Sequence, residues 1–218
     1  MALIFRGGGF IPPAIAGGLV VLDAVGTVTQ HTTTYTGMTV GSGLVGGALV
    51  IVINTATAQT VTSVPVWGSQ TMTLIGSVNL GNVGVTGATT YMYGLLNPQS
   101  GNQTVTYALT GNNASVCGIS FSGVNSVFGT AFQHYNSNGA IASSISTSIV
   151  SATNHMVLGV AGDPQNSINT ISGTQKWLSN AFIVDTAGCI NPGAASVNVS
   201  ATFSAADQVG VAGVDISF

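Results

Sequence analysis

Glutamate is missing from this chain altogether, and charged residues of every kind make up only 3% of its 218 residues. The whole inventory is Arg6, Lys176, Asp23, Asp163, Asp185, Asp207 and Asp215. An ordinary soluble domain carries roughly 25% charged residues. The shortage removes most of the side chains that enzymes use for acid–base and metal chemistry. Two cations cannot supply the Lys and Arg contacts that hold phosphates, so nucleic acid is excluded as a partner. The shortage also removes the charged surface that keeps proteins apart, and self-association is expected.

Long apolar runs are missing too, although 45% of the residues are hydrophobic and the mean hydropathy is +0.53. Stretches such as Gly17 to Leu22 and Ala48 to Ile53 fall far short of the ~20 residues that span a bilayer as a helix. Two Trp and five Tyr are too few for the two girdles of a membrane barrel. No basic segment precedes an apolar one at Met1 to Gly9, so the start of the chain does not read as a signal peptide. The matching expectation is a protein made and kept in a cytosol, or released by lysis.

Cysteine is nearly absent. Cys117 and Cys189 match no metal spacing. Cys117 reads as a small core residue in the apolar run Val116 to Ile119. Cys189 reads as part of a Gly/Asn/Pro loop, and a bridge would require that loop to fold over the Cys117 strand.

Reactive constellations are equally scarce. Gly41 to Gly46 has the letters of a dinucleotide fingerprint, but it leads into a β run where the chemistry needs a helix N-terminus, so it reads as a turn. His31, His134 and His155 are dispersed. His31 reads as a wet strand face, His134 as a loop residue suited to interface hydrogen bonds, and His155 as the start of a strand. Asp163 and Asp185 follow strands into loops, where solvated Asp normally sits. Asp163 with Asn166 and Asn169 is a weak Ca²⁺ pattern beside a plain Asp-Pro turn. No Gly-x-Ser-x-Gly elbow occurs. The reading assigns no catalytic residue, no cofactor and no metal. The ligand candidates are aromatic: Trp67 and Trp177 for sugar stacking, and Tyr91 with Tyr93 on one strand face. Core or interface packing is the plainer role for each of them.

What the chain does contain is β pattern. From Leu19 onward, runs rich in Val, Ile, Thr and Tyr alternate with turn signals such as Asn97-Pro98, Asn138-Gly139 and Asp163-Pro164. Ile145, Thr147 and Ile149 alternate with Ser144, Ser146 and Ser148. This predicts strands with one buried and one wet face. Helix caps followed by apolar stripes are absent. The fold class is all-β: an antiparallel β-sandwich, jelly-roll-like or Ig-like, over 19–218 as a single domain. Residues 1–18 form an extended N-terminal arm. Its Leu3, Ile4, Phe5, Phe10 and Ile11 lack helical spacing, and Pro12 and Pro13 favour extended backbone.

Several segments carry a resemblance. They are Ala48 to Asn54, Val61-Thr-Ser-Val-Pro-Val-Trp-Gly68, Met72 to Ser77, Tyr93 to Pro98, Gly101 to Tyr107, Ile119 to Val124, Phe128 to Thr130 and Pro192 to Val197, with a final strand Val211 to Phe218. This succession resembles a phage and bacterial β-sandwich module found in virion surface proteins of the capsid-decoration or fibre type. It covers roughly 40–218 and is a signature of Gly and apolar positions. Pro65 interrupts a strand of the pattern, which predicts an edge or bulge there. The resemblance implies a non-enzymatic structural protein of a tailed bacteriophage virion, decorating the capsid surface. Its expected partners are itself, as a homotrimer, and other virion proteins such as the major capsid protein. A carbohydrate- or receptor-binding fibre module is the alternative, with a glycan as ligand.

Overall fold

A computed structural model describes residues 18–30, 32–42, 46–56, 58–80, 88–124, 128, 133–136, 141–164, 166–180 and 184–218. The arm residues Leu3, Ile4, Phe5, Phe10 and Ile11 lie outside these, as does His31. Among the described residues there are strands and no helix.

The first ten strands are β1 (Val21–Val25), β2 (Thr29–Gln30), β3 (Thr34–Tyr35), β4 (Gly47–Thr55), β5 (Val66–Trp67), β6 (Gln70–Thr71), β7 (Thr73–Asn79), β8 (Thr89–Leu96), β9 (Val105–Thr106) and β10 (Ala114–Ser122). The next eight are β11 (Gln133–Asn136), β12 (Ala142–Ile149), β13 (Met156–Asp163), β14 (Ile168–Ile171), β15 (Thr174–Ser179), β16 (Asp185–Pro192), β17 (Val197–Asp207) and β18 (Gly210–Ile216). Every pairing among them is antiparallel.

The strands form four sheets, and the sheets divide by sequence. β1–β10 build an inner sheet in the order β1-β10-β4-β8-β7, with β2 also on β10, and an outer sheet β3-β9-β5-β6. β11–β18 build a second inner sheet, β11-β18-β13-β16-β15, and a second outer sheet, β12-β17-β14. Three apolar clusters join them into a stack: outer, inner, inner, outer.

Side-chain alternation makes this stacking possible. Along β4, Ala48, Val50 and Val52 enter the cluster shared with the second inner sheet. Leu49, Ile51 and Ile53 point the other way, against Tyr35, Trp67 and Val105 of the first outer sheet. Leu158 and Val160 of β13 face the first half, while Val157 and Ala161 face the second outer sheet. Both inner sheets are thus covered on both faces, and β4 and β18 are buried at every position. A strand with two dry faces has no place for alternation, which is why these segments read as unbroken apolar runs. The wet-face pattern holds instead on the second outer sheet. There Ile145 and Ile149 are buried, while Ser144, Ser146 and Ser148 are exposed.

Small residues let the layers approach. A Cβ on Gly188 of β16 would lie 2.1 Å from the Trp177 ring, so the indole is seated on bare backbone. A buried polar network pins the two halves beside it. Trp177 Nε1 and Asn54 Nδ2 both donate to Thr186 Oγ1, at 3.2 and 2.9 Å, and Thr90 Oγ1 donates to Asn54 Oδ1 at 2.5 Å. Such a network is favourable only when its members are satisfied together, so it fixes how the halves align.

Several local expectations change. Cys189 lies inside β16 and is buried, because the stretch read as a loop is a strand sealed by two neighbours. Cys117 and Cys189 are both free and belong to different clusters. His134 sits on a strand, β11, paired with Ala212 of β18. Pro65 immediately precedes β5 and its carbonyl accepts from Met72 N at 2.9 Å, so the ladder starts after it.

The Trp177 seat gives a direct test. Gly188→Ala should displace the indole and destabilise the fold by roughly 1–3 kcal/mol. Denaturant titration followed by tryptophan fluorescence measures it; an unchanged midpoint would contradict the packing.

Candidate functional site

The aromatic candidates are placed first by their burial. Trp67 is 0% exposed in the core between the first outer and inner sheets, and its Nε1 donates to Gln99 O at 2.9 Å. Trp177 is buried between the inner sheets. Neither ring offers a face to a sugar, because each fills the space over a sheet. Tyr93 is buried and Tyr91 half-buried. Their rings stack with centroids 6.3 Å apart, over the same cluster.

The charged residues turn out to be internal. None of the six described charged residues is fully exposed: Asp163, Asp185 and Asp215 are buried, and Asp23, Asp207 and Lys176 are half-buried. Asp23 Oδ2 accepts from Ser120 Oγ at 2.6 Å and Gly41 N at 3.0 Å, tying β1 to β10 and to the turn after Val40. Asp207 Oδ2 accepts from Asn166 Nδ2 at 3.0 Å.

Asp163 and Asp185, expected in solvated loops, instead face each other across the end of the β13–β16 ladder. Asp163 Oδ1 accepts from Asn166 N at 2.8 Å. Burial, and then the Asp163 carboxylate opposite, push the Asp185 carboxyl from 3.8 up to about 6, against a Ser167 hydrogen bond that lowers it. Two carboxylates this close in a dry place disfavour a second charge. Asn166 is thus committed to Asp163 and Asp207, and Asn169 is exposed. Among the described residues no group of three His, Cys, Asp or Glu is placed to hold a metal ion.

A third constellation was not visible in the sequence. Ser151, His155 and Asp215 converge where the turn before β13 meets β18. Asp215 Oδ2 lies 2.8 Å from His155 Nδ1, and Asp215 Oδ1 accepts from Ser151 Oγ at 2.5 Å. The His155 ring also meets Phe218 edge-on, with centroids 5.2 Å apart. The residue types are those of a nucleophilic triad, but the connectivity is not. A nucleophilic hydroxyl bonds the imidazole, which takes its proton. Here the hydroxyl is spent on the carboxylate, so the acid is a hub that holds both neighbours. One sequence signal was available: Asp215 stands in the apolar run Val211 to Ile216, and a buried carboxylate requires partners.

This hub borders a cavity of about 530 Å³. Leu19 to Leu22 form one wall, Thr153 to Met156 another, and Ile190, Pro192, Gly193 and Lys176 complete it. The walls are held by backbone bonds: Val20 N to Asn154 O at 3.0 Å, and Gly193 N to His155 O at 2.9 Å. Asn154 takes a positive φ of 72° at the turn. The largely apolar walls can bind an apolar group, with the Lys176 side chain on one of them.

The Asp185 shift carries a pH prediction. The native state holds this proton more tightly than the unfolded chain does. The stabilisation is therefore complete below the unfolded value of 3.8 and is lost as pH rises through about 6. Asp185→Asn should raise stability by roughly 1–3 kcal/mol at about pH 7.5, and the gain should vanish near about pH 4. Thermal melts of both proteins across that range check the sign.

Comparison with family models, with curated proteins and with solved structures found no match to this chain.

Proposed function

We propose that this chain is a non-enzymatic structural protein of a tailed bacteriophage virion, which decorates the capsid by adhesion to neighbouring subunits. The observation that carries the reading is the disposition of its chemistry. The acids, the indoles and the Ser151–Asp215–His155 hub all serve the fold itself. What remains outside is neutral hydroxyl surface and scattered exposed apolar residues, including Leu19, Leu74, Ile141 and Val150. Such a surface associates by burying area, and repetition on a lattice multiplies weak contacts. The assignment to a virion rests on the sequence resemblance, and a homotrimer bound to the major capsid protein is the corresponding assembly.

Electron microscopy of particles tests it. Labelled protein should appear at regular positions on the capsid; particles that lack it at normal expression would refute the proposal.

A glycan-binding fibre module is the second reading, and one observation favours it. Ser144, Ser146 and Thr202 with Thr170 form an exposed hydroxyl face across β12, β17 and β14, in the registers Ser144 to Thr202 and Thr170 to Thr202. Neutral hydroxyls suit sugars. On this reading a glycan array gives a signal that Thr202→Val weakens several-fold. Array binding unaffected by that change would remove the hydroxyl face from consideration.

A further inference from the structure

The cavity of about 530 Å³ lies where the two inner sheets end side by side. β1 closes the strand order of one sheet and β15 that of the other. Gln30 Nε2 of β2 donates to Ser179 Oγ of β15 at 3.3 Å, which ties the two margins together. Val20, Leu22, Met156 and Ile190 line the cavity, and all four belong to or pack on the apolar cluster between those sheets. The floor of the cavity is therefore the core itself, and an apolar guest would extend the packing that joins the halves. Its volume is that of a site for one small ligand.

The charge on the walls has one sign. Lys176 is the one Lys or Arg among the described residues, it lines the cavity, and no Asp lines it. Among the described residues no ion pair joins Lys176 to an acid. The two acids that adjoin lining residues are committed elsewhere. Asp23, next to Leu22, accepts from Ser120 Oγ and Gly41 N. Asp215 has one oxygen on His155 and the other on Ser151. A half-buried ammonium beside apolar walls gains from a counter-charge that comes with a guest.

The backbone places this cation. β15 carries a bulge between Gln175 and Trp177, whose partners on β16 are the consecutive residues Cys189 and Gly188, so Lys176 is the extra residue. Trp177 is thereby buried in the core while Lys176 stays half-buried on the cavity wall. The facing strand β1 has a bulge of its own between Leu22 and Ala24. Bulges re-aim side chains and are frequent beside active sites.

We infer that this cavity binds a single-chain amphipathic acid, its apolar tail lying among Leu22, Met156 and Ile190 and its carboxylate at Lys176. The apolar floor accounts for the tail, and the lone cation on the wall accounts for the head. The ring of His155, fixed by Asp215, gives the site a preformed wall. The inference stands apart from the virion reading, because it concerns the isolated chain in solution.

Titration calorimetry with dodecanoate tests it, below the micellar concentration and at about pH 7.5, where the acid is ionised. One dodecanoate should bind per chain. Dodecyltrimethylammonium has the same tail and the opposite head charge, and should bind roughly ten-fold more weakly. Acetate, a head without a tail, should give no binding heat. Lys176→Met should remove the preference between the two heads. Val21→Trp and Thr153→Trp each add an indole at an exposed wall position, where the fold should tolerate it. Each should weaken dodecanoate binding by roughly ten-fold or more. Absence of dodecanoate binding, or equal binding of the two heads, overturns the inference. So does binding that neither indole variant weakens, because the site then lies elsewhere. A preference that survives in Lys176→Met overturns the placement of the head. If the chain sediments with phosphatidylglycerol vesicles and ignores free dodecanoate, a bilayer surface replaces the single-chain acid. None of these failures touches the virion location, which microscopy of particles decides separately.

Discussion

The structure depends on one demand: two sheets must be dry on both faces. The inner sheets meet across a shared apolar cluster, and each carries an outer sheet on its far side. Every other feature answers to that. Inner strands leave little room for charge, so β4 and β18 are apolar or neutral almost throughout. Glycines stand where a ring or a branched side chain from the next layer presses on the backbone, as Trp177 does on Gly188. The polar atoms that do enter the seam, on Asn54, Thr90, Thr186 and Trp177, bond one another. Each large apolar side chain sealed this way contributes roughly 1.5–3 kcal/mol, and the seam collects them from both halves.

The same demand explains where the few charges are. In most domains Asp and Lys keep the surface wet. Here every described Asp is at least half-buried, and Asp23, Asp207 and Asp215 accept hydrogen bonds that join elements distant in sequence. Asp215 is the clearest case, since a carboxylate on β18 organises the turn that precedes β13. Hydrogen bonds to a carboxylate are stronger than those between neutral groups. A chain with few acids therefore places them where one residue can secure two or three contacts. The surface is left to Ser, Thr and Asn.

Fold class was legible because period and turn chemistry are local. Ser144 to Ile149 alternate in the letters and alternate in space. The number of layers was not legible. A strand such as Ala48 to Asn54 shows that both faces are apolar, but not which part of the chain covers the second face. That second face is covered by the chain's own outer sheets. Cys189 was misplaced for a related reason: Gly188, Asn191 and Pro192 look like loop residues, yet two flanking strands hold them in a ladder. Trp67 and Trp177 could be core or ligand platforms from sequence alone, and only the layer above each decides. Ser151, His155 and Asp215 come together through the β13–β18 pairing, which no local pattern announces.

The division of the chain into β1–β10 and β11–β18 changes what self-association has to accomplish. Either half alone would leave one face of an inner sheet bare, a patch far larger than soluble monomers tolerate. The halves cover that face for each other, so no neighbour is needed for it. Among the described residues, what is left at the margins is the cavity beside β1 and the exposed Leu19 and Val21 on its wall. Assembly driven from these places would be directional rather than a general stickiness. A neutral Ser/Thr/Asn exterior adds little attraction of its own, whereas a largely apolar cavity offers it at one point. Low charge is then tolerable in this molecule because the surfaces it would otherwise endanger are already folded away.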